Sequence, residues 1–221
     1  MAISTMQDLM LDQLGDVYDA EHRFLKGQQE MVQNTTDQQL KSGIQLHIEQ
    51  TQRHIQNLEQ VFSLMGQQPK GVTCEASQGL VSEAQKDMRE AGSDPIRDVL
   101  IDGAALRVEH YEIAAYTALI AGAQLMGQQQ AVGLLQENLQ QERQTAQKLE
   151  QLTPQLLRTA MESMGANAQG ATAGATGDMA MGASTMGRTA GDDYVKVDTS
   201  KASDILIDET QGQGALRNPG S

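Results

Sequence analysis

The stretch RVEHYEIAAY, Arg107 to Tyr116, is the most informative part of the sequence because it places carboxylates inside an otherwise apolar helical segment. Apolar residues recur around it at the spacing of a helix that faces a core, at Ile101, Ala105, Val108, Ala115 and Leu119. Glu112 falls on this apolar stripe, and Glu109 lies one turn earlier on its flank. Burying an unpaired charge is costly, so both carboxylates need partners inside the fold.

The composition favours a helical protein that attracts cations. The chain has 221 residues, only 3% of them aromatic and none of them Trp, which favours helix packing over sheets. A net charge of -13 argues against nucleic acid as a partner, because phosphate binding requires clustered Lys and Arg. The single cysteine, Cys74, excludes an intramolecular disulfide and a Cys-rich zinc site, and we interpret it as a packed thiol.

The N-terminus and the hydropathy of the chain predict a cytoplasmic protein. Residues 1–21 lack a basic region followed by an uninterrupted apolar run, so we predict no secretory signal. No stretch approaches the length of apolar chain that a membrane-spanning helix needs. We therefore expect no membrane partner.

Breaks in the helical pattern predict four long helices and one short connecting helix. The long helices are expected at about 5–33, 36–65, 95–125 and 129–157, and the short one at about 75–91. The segment NTTD, Asn34 to Asp37, separates the first pair and offers Thr36 as the N-cap of the second helix. Short links within each pair and a long link between the pairs predict an all-α four-helix bundle with an extra short crossover helix, spanning residues 1–160.

The C-terminal quarter of the sequence has a different composition. Residues 161–193 are rich in Gly, Ala and Met without periodicity, which predicts a flexible linker. Residues 194–221 are expected to form a mostly disordered tail. Within it, two brief apolar runs indicate either a docking segment that orders on a protein partner or simply more disordered chain.

A shift of 91 positions aligns the two predicted hairpins with each other. Glu21 falls on Glu112, and NLEQ (Asn57 to Gln60) falls on KLEQ (Lys148 to Gln151). Counted from the loops near residues 35 and 127, Glu21, Glu112 and Glu142 lie at one level of the bundle, with His54 on the remaining helix. Carboxylates from three helices are therefore expected to meet in the interior.

This arrangement predicts a carboxylate-bridged metal centre. Ferritin-like bundles use a Glu from each of two helices and a Glu-x-x-His pair from each of the other two. Here the second helix has Thr51-x-x-His54, and the fourth has Glu142-x-x-Thr145. We predict that one or two iron or manganese ions, which suit oxygen and imidazole donors, bind to Glu21, His54, Glu109, Glu112 and Glu142. His47 and Glu49 are weaker candidates.

A metal-free interpretation stays open. The three central Glu side chains could form a hydrogen-bonded polar layer with Tyr18, Tyr116 or Arg143. The pattern favours a structural role for His47 and a surface position for Glu49, and it places His22 and His110 away from the apolar stripes.

The chain resembles the YciE/YciF-like ferritin-like stress-protein family of bacteria. The resemblance is carried by these segments: LGDVYDAEHRFLKG, HIEQTQRHIQNLEQVF, PKGVTCEASQGLV, VEHYEIAAYTAL and LLQENLQQERQTAQKLEQL. It implies a ferritin-like, rubrerythrin-like bundle, a homodimer and induction under stress, and by motif it carries over Glu21, Glu109, Glu112 and Glu142. It implies no settled reaction.

Two functional hypotheses follow from these observations. The first is a ferritin-like stress protein that binds iron or manganese, with peroxide- or O2-linked chemistry. The alternative is a metal-free, dimeric structural or adaptor bundle that presents its C-terminal tail to a partner protein. Whether the protein is an enzyme is left open by the sequence.

Overall fold

The structure, a computed structural model, describes the backbone of residues 3–173 and the side chains of residues 3–165. Its helices are α1 (Met6–Asn34), α2 (Gln38–Leu64), α3 (Glu75–Glu90), α4 (Asp94–Leu125) and α5 (Gln129–Ala173). Helix α1 packs against α2 and α4, helix α5 packs against α4 and α2, and the short α3 crosses over α1 and α4. The predicted four-helix bundle with a crossover helix is confirmed. Among the described residues, no helix is long and apolar enough to cross a bilayer.

Helix α5 is longer than the sequence pattern predicts. The predicted end near residue 157, the bundle boundary at 160 and the start of the linker at 161 all fall inside this helix, which ends at Ala173. Pro154 lies within the helix, where it removes one N–H donor, but Leu152, Leu156 and Ala160 remain buried around it. Packing of this apolar stripe outweighs the local effect of the proline. The rest of the predicted linker and the docking segment lie outside the described residues.

The N-cap of α2 is Asp37 and not the predicted Thr36. The Asp37 carboxylate accepts hydrogen bonds from the backbone N–H groups of Gln39 and Leu40, both at 2.9 Å. The hydroxyl of Thr36 instead donates to the Asp98 carboxylate at 2.6 Å. Because a tertiary partner occupies the Thr36 side chain, the next residue caps the helix.

Two apolar clusters lie on either side of a polar layer in the bundle. One cluster contains Leu14, Leu58 and Leu135, and the other contains Leu40 and Leu149. On α1, Val17 belongs to the first cluster and Met31 to the second, so that Glu21 lies between them along the helix. The candidate site lies between these two apolar cores.

Asp98 joins α4 to the α1–α2 turn, and we expect its removal to destabilise the fold. Its buried carboxylate accepts from the backbone N–H of Thr36 at 2.8 Å, from the Thr36 hydroxyl and from the backbone N–H of Asp37 at 2.9 Å. Asp98→Ala removes a buried carboxylate that accepts three hydrogen bonds, so the free energy of unfolding should fall by about 2 kcal/mol in urea denaturation.

The matched control is Asp94→Ala, in the first turn of the same helix. Asp94 is exposed and pairs with Arg97 on the surface, so its loss should cost less than about 1 kcal/mol. Equal effects of the two substitutions would contradict a structural role for the Asp98 hydrogen bonds.

Candidate metal centre

Six acidic and histidine side chains from the four long helices converge in the polar layer. They are all at most 4% exposed: Glu21, His47, His54, Glu109, Glu112 and Glu142. The structure therefore brings together all five residues of the predicted set, and it adds His47.

The six side chains form two groups that share Glu142. The first comprises His47, Glu109, Glu112 and Glu142, and the second comprises Glu21, His54 and Glu142. In each group, one donor atom from every residue lies within 4.8 Å of all the others. Nitrogen and oxygen donors this close together could hold a metal ion, with Glu142 available to both groups.

The two imidazoles face these carboxylates at short distances. Nε2 of His47 lies 3.1 Å from Glu109 Oε1 and 3.4 Å from Glu142 Oε2. Nδ1 of His54 lies 2.8 Å from Glu142 Oε1 and 3.5 Å from Glu21 Oε1. Neither ring nitrogen has the alignment of a hydrogen bond with these oxygens.

The remote nitrogen of each imidazole contacts a glutamine carbonyl oxygen. Nε2 of His54 lies 2.9 Å from Gln141 Oε1, and Nδ1 of His47 lies 3.2 Å from Gln50 Oε1. A carbonyl oxygen only accepts, so each remote nitrogen is the donor. A neutral imidazole held in this way directs the lone pair of its other nitrogen toward the carboxylates, as metal-ligating histidines do.

Unpaired polar atoms are concentrated in this layer. Among the described residues, nine buried side-chain nitrogen or oxygen atoms lack a hydrogen-bond partner, and all but Asp102 Oδ1 belong to the six converging side chains. Buried polar groups are normally satisfied. The donor set therefore fits a cation, which would contact several of these atoms at once.

Without a metal ion, protons must compensate the buried charge. Burial raises the pKa of Glu109 and of Glu142 to about 8. Burial and the charges of Glu142 and Glu21 hold the pKa of Glu112 well above its usual range. Burial alone would lower the pKa of His54, but Glu21 and Glu142 raise it to about 11.

Thr51 and Thr145 stand where the ferritin-like template has metal ligands, and both make hydrogen bonds within the protein instead. Thr51 exchanges hydrogen bonds with Gln28 at 3.1 Å, and the hydroxyl of Thr145 lies 3.3 Å from His47 Nδ1. Glu109 and His47 supply the carboxylate and the imidazole that these positions lack. The layer thus contains four Glu and two His, the same complement as the ferritin-like template, in a different distribution over the helices.

The sequence pattern favours a structural role for His47, whereas the structure places it in the first group. One signal was available, because His47 and His54 are seven residues apart and therefore share a helix face. Glu49 and His110 are exposed, and His22 is half-buried.

Of the three partners suggested for a metal-free layer, only Tyr116 makes a hydrogen bond with one of the six converging side chains. Its hydroxyl donates to Glu21 and accepts from the Asn138 amide at 3.0 Å. Tyr18 donates to Glu59 instead, and Arg143 is exposed.

Comparison with known proteins identifies the class to which this bundle belongs. Residues 5–162 match the family described as "Domain of unknown function (DUF892)", and the chain belongs to this family. Protein YciF of Escherichia coli (strain K12) is 32% identical over 153 residues, which cover 69% of this chain and 92% of that protein. The expected resemblance to YciF is confirmed.

Two solved structures have the same architecture. The crystal structure of the E. coli stress protein YciF matches with a TM-score of 0.67 and 30% identity, over 70% of this chain and 98% of that one. YcfI of Rhodopseudomonas palustris, provisionally described as a structural protein, matches with a TM-score of 0.66 and 40% identity, over 67% of this chain and 94% of that one.

We predict that the stability of the chelator-treated protein falls as the pH rises from about 5 to 9. The raised pKa values of Glu109, Glu142 and His54 mean that the folded state binds more protons than the unfolded state in this window. The free energy of unfolding therefore decreases with pH. The melting temperature, measured in EDTA at several pH values, checks this.

The control variant is Glu112→Gln, which removes one carboxyl group from the layer. Because residue 112 then releases no proton on unfolding, the melting temperature should decrease less steeply with rising pH. A melting temperature that rises with pH over this range would contradict the prediction.

Proposed function

We propose that this protein is a ferritin-like stress protein that holds two iron or manganese ions in the centre formed by the six converging side chains. The observation that carries the proposal is the concentration of unpaired buried donor atoms in one layer, with both imidazoles oriented toward the carboxylates. The role in stress rests on the likeness to the E. coli stress protein YciF.

Charge balance supports two ions. Four carboxylates and two neutral imidazoles carry four negative charges, which two divalent cations would neutralise without any proton. The two groups that share Glu142 offer one place for each ion. Carboxylate oxygens with one imidazole in each group favour iron or manganese over metals that prefer thiolate ligands.

The residues of the chain would have distinct tasks in such a centre. Glu142 would bridge the two positions, while Glu109 and Glu112 would bind on one side and Glu21 on the other. Gln50 and Gln141 would hold the two imidazoles in the binding orientation. Tyr116 would hold Glu21 and keep a phenolic proton next to the centre. A bound iron or manganese ion would supply Lewis-acid and redox chemistry toward peroxide or O2.

Metal content of the purified protein tests the proposal directly. Glu112→Gln and Glu142→Gln should each lower iron or manganese occupancy at least about tenfold, because each removes an anionic donor from the shared layer. Metal analysis by mass spectrometry after reconstitution gives the measurement. Glu49→Gln is the matched control, since Glu49 is exposed on α2. Negligible metal in the unmodified protein would refute the proposal.

Gln141→Leu should lower metal affinity by about 10- to 100-fold without removing a donor atom to the metal. The Gln141 carbonyl oxygen accepts from His54 Nε2, and loss of such a partner releases the ring from its binding orientation. Affinity is measured by competition with a coloured chelator. Gln144→Leu, one turn further along the exposed side of α5, is the control, and equal affinities of the two variants would argue against this role.

A metal-free structural or adaptor protein is the second candidate. The observation that favours it is the likeness to YcfI, which is provisionally described as a structural protein. In this case the homodimeric bundle would present the C-terminal residues to a partner protein. Metal content would then be negligible, and deletion of residues 174–221 would abolish partner capture while the bundle stays folded.

A further inference from the structure

An apolar cavity of about 320 Å³ opens into the bundle next to the candidate metal centre. Apolar side chains from four helices form most of its wall: Phe24, Met31, Leu40, Val108, Leu149 and Leu152. Its volume is about twice that of an engineered apolar cavity of ~150 Å³ that binds benzene. It falls within the range of natural ligand pockets, which begin at about 300 Å³.

Two buried residues of the candidate metal centre also line the cavity. His47 and Glu109 both line it and both are almost fully buried. A molecule that filled the cavity would therefore lie against the first of the two groups.

Part of the cavity lining is exposed to solvent, and one of the exposed lining residues is positively charged. The exposed lining residues include Ser42, Gly43, Leu46 and Lys148. Lys148 is the only Lys or Arg among the lining residues, and within residues 3–165 it forms no ion pair. Although the chain has a net charge of -13, this lysine can attract an anion to the cavity.

We propose that this cavity binds a medium-chain aliphatic carboxylate. Its carboxylate would pair with Lys148 at the opening, and its apolar chain would extend between the helices toward His47 and Glu109. Binding follows from the shape and charge of the cavity alone, whereas the assignment of this ligand as a substrate of the metal centre rests on the proposed function.

Gly43 provides a way to fill the cavity without disturbing the fold. It lies in the interior of α2, and a Cβ atom built on it meets nothing within 4 Å. Gly43→Leu should therefore fold, since leucine has a higher helix propensity than glycine, while its side chain occupies part of the cavity. Gly133→Leu is the matched control, because Gly133 is exposed on α5 with the same open surroundings and does not line the cavity.

The experiment measures binding of octanoate and of 1-octanol to the full-length protein by isothermal titration calorimetry. Octanoate should bind with an affinity that falls at least about tenfold in Gly43→Leu and is unchanged in Gly133→Leu. Lys148→Gln should weaken octanoate about threefold to fivefold and leave 1-octanol unchanged, because only octanoate carries the negative charge.

Three results would overturn the proposal. Absence of octanoate binding at millimolar concentration would show that the cavity takes no such ligand. Unchanged octanoate affinity in Gly43→Leu would place the binding elsewhere. If Lys148→Gln weakened octanoate and 1-octanol equally, Lys148 would not pair with the carboxylate of the ligand.

The same titration separates this proposal from the proposed metal centre. Glu112 does not line the cavity, so Glu112→Gln should lose metal and retain octanoate. A protein that binds octanoate but no metal would sustain the ligand site and refute the metal centre. A protein that binds metal but no octanoate would refute the ligand site and sustain the metal centre.

Discussion

Four carboxylates and two imidazoles are buried together in one layer of the bundle, and their charges restrict how the helices can pack. Apolar clusters lie on both sides of the layer and its six side chains are almost fully buried, a setting in which isolated charges are strongly unfavourable. Cations or shared protons must therefore compensate them. Each long helix must also hold its register along the bundle, because a shift of one turn would move its carboxylates or imidazoles from this layer into an apolar core.

The layer shows how a bundle can keep a set of donor atoms while it changes their positions in the sequence. Thr51 and Thr145 stand where the ferritin-like template has a Glu and a His, and both make hydrogen bonds instead. Glu109, three residues before Glu112, and His47, seven residues before His54, take the two vacant roles. Both spacings return to the same helix face, so the bundle accommodates the exchange without a change in its architecture.

Local patterns predicted the helices well and their ends less well. The starts of α4 and α5 follow directly from Pro95 and from the MGQQ link (residues 126–129), and the structure agrees to within a residue. The two errors have tertiary causes. Asp98, on a distant helix, accepts from the Thr36 hydroxyl, so that Asp37 caps α2 instead. Helix α5 continues beyond the predicted end near residue 157, where Ala160 is still buried in the bundle.

Sequence patterns were sufficient to predict the number of helices, the crossover and the level at which Glu21, Glu112 and Glu142 meet, because helical period and loop position are local properties of the chain. The packed structure was needed to show that His47 faces Glu109 and Glu142, that Gln50 and Gln141 contact the imidazoles, and that His47 and Glu109 line an apolar cavity. These features depend on how far each helix is rotated about its axis and how closely it packs on its neighbours. Both are set by side chains distant in sequence, which no single helical pattern contains.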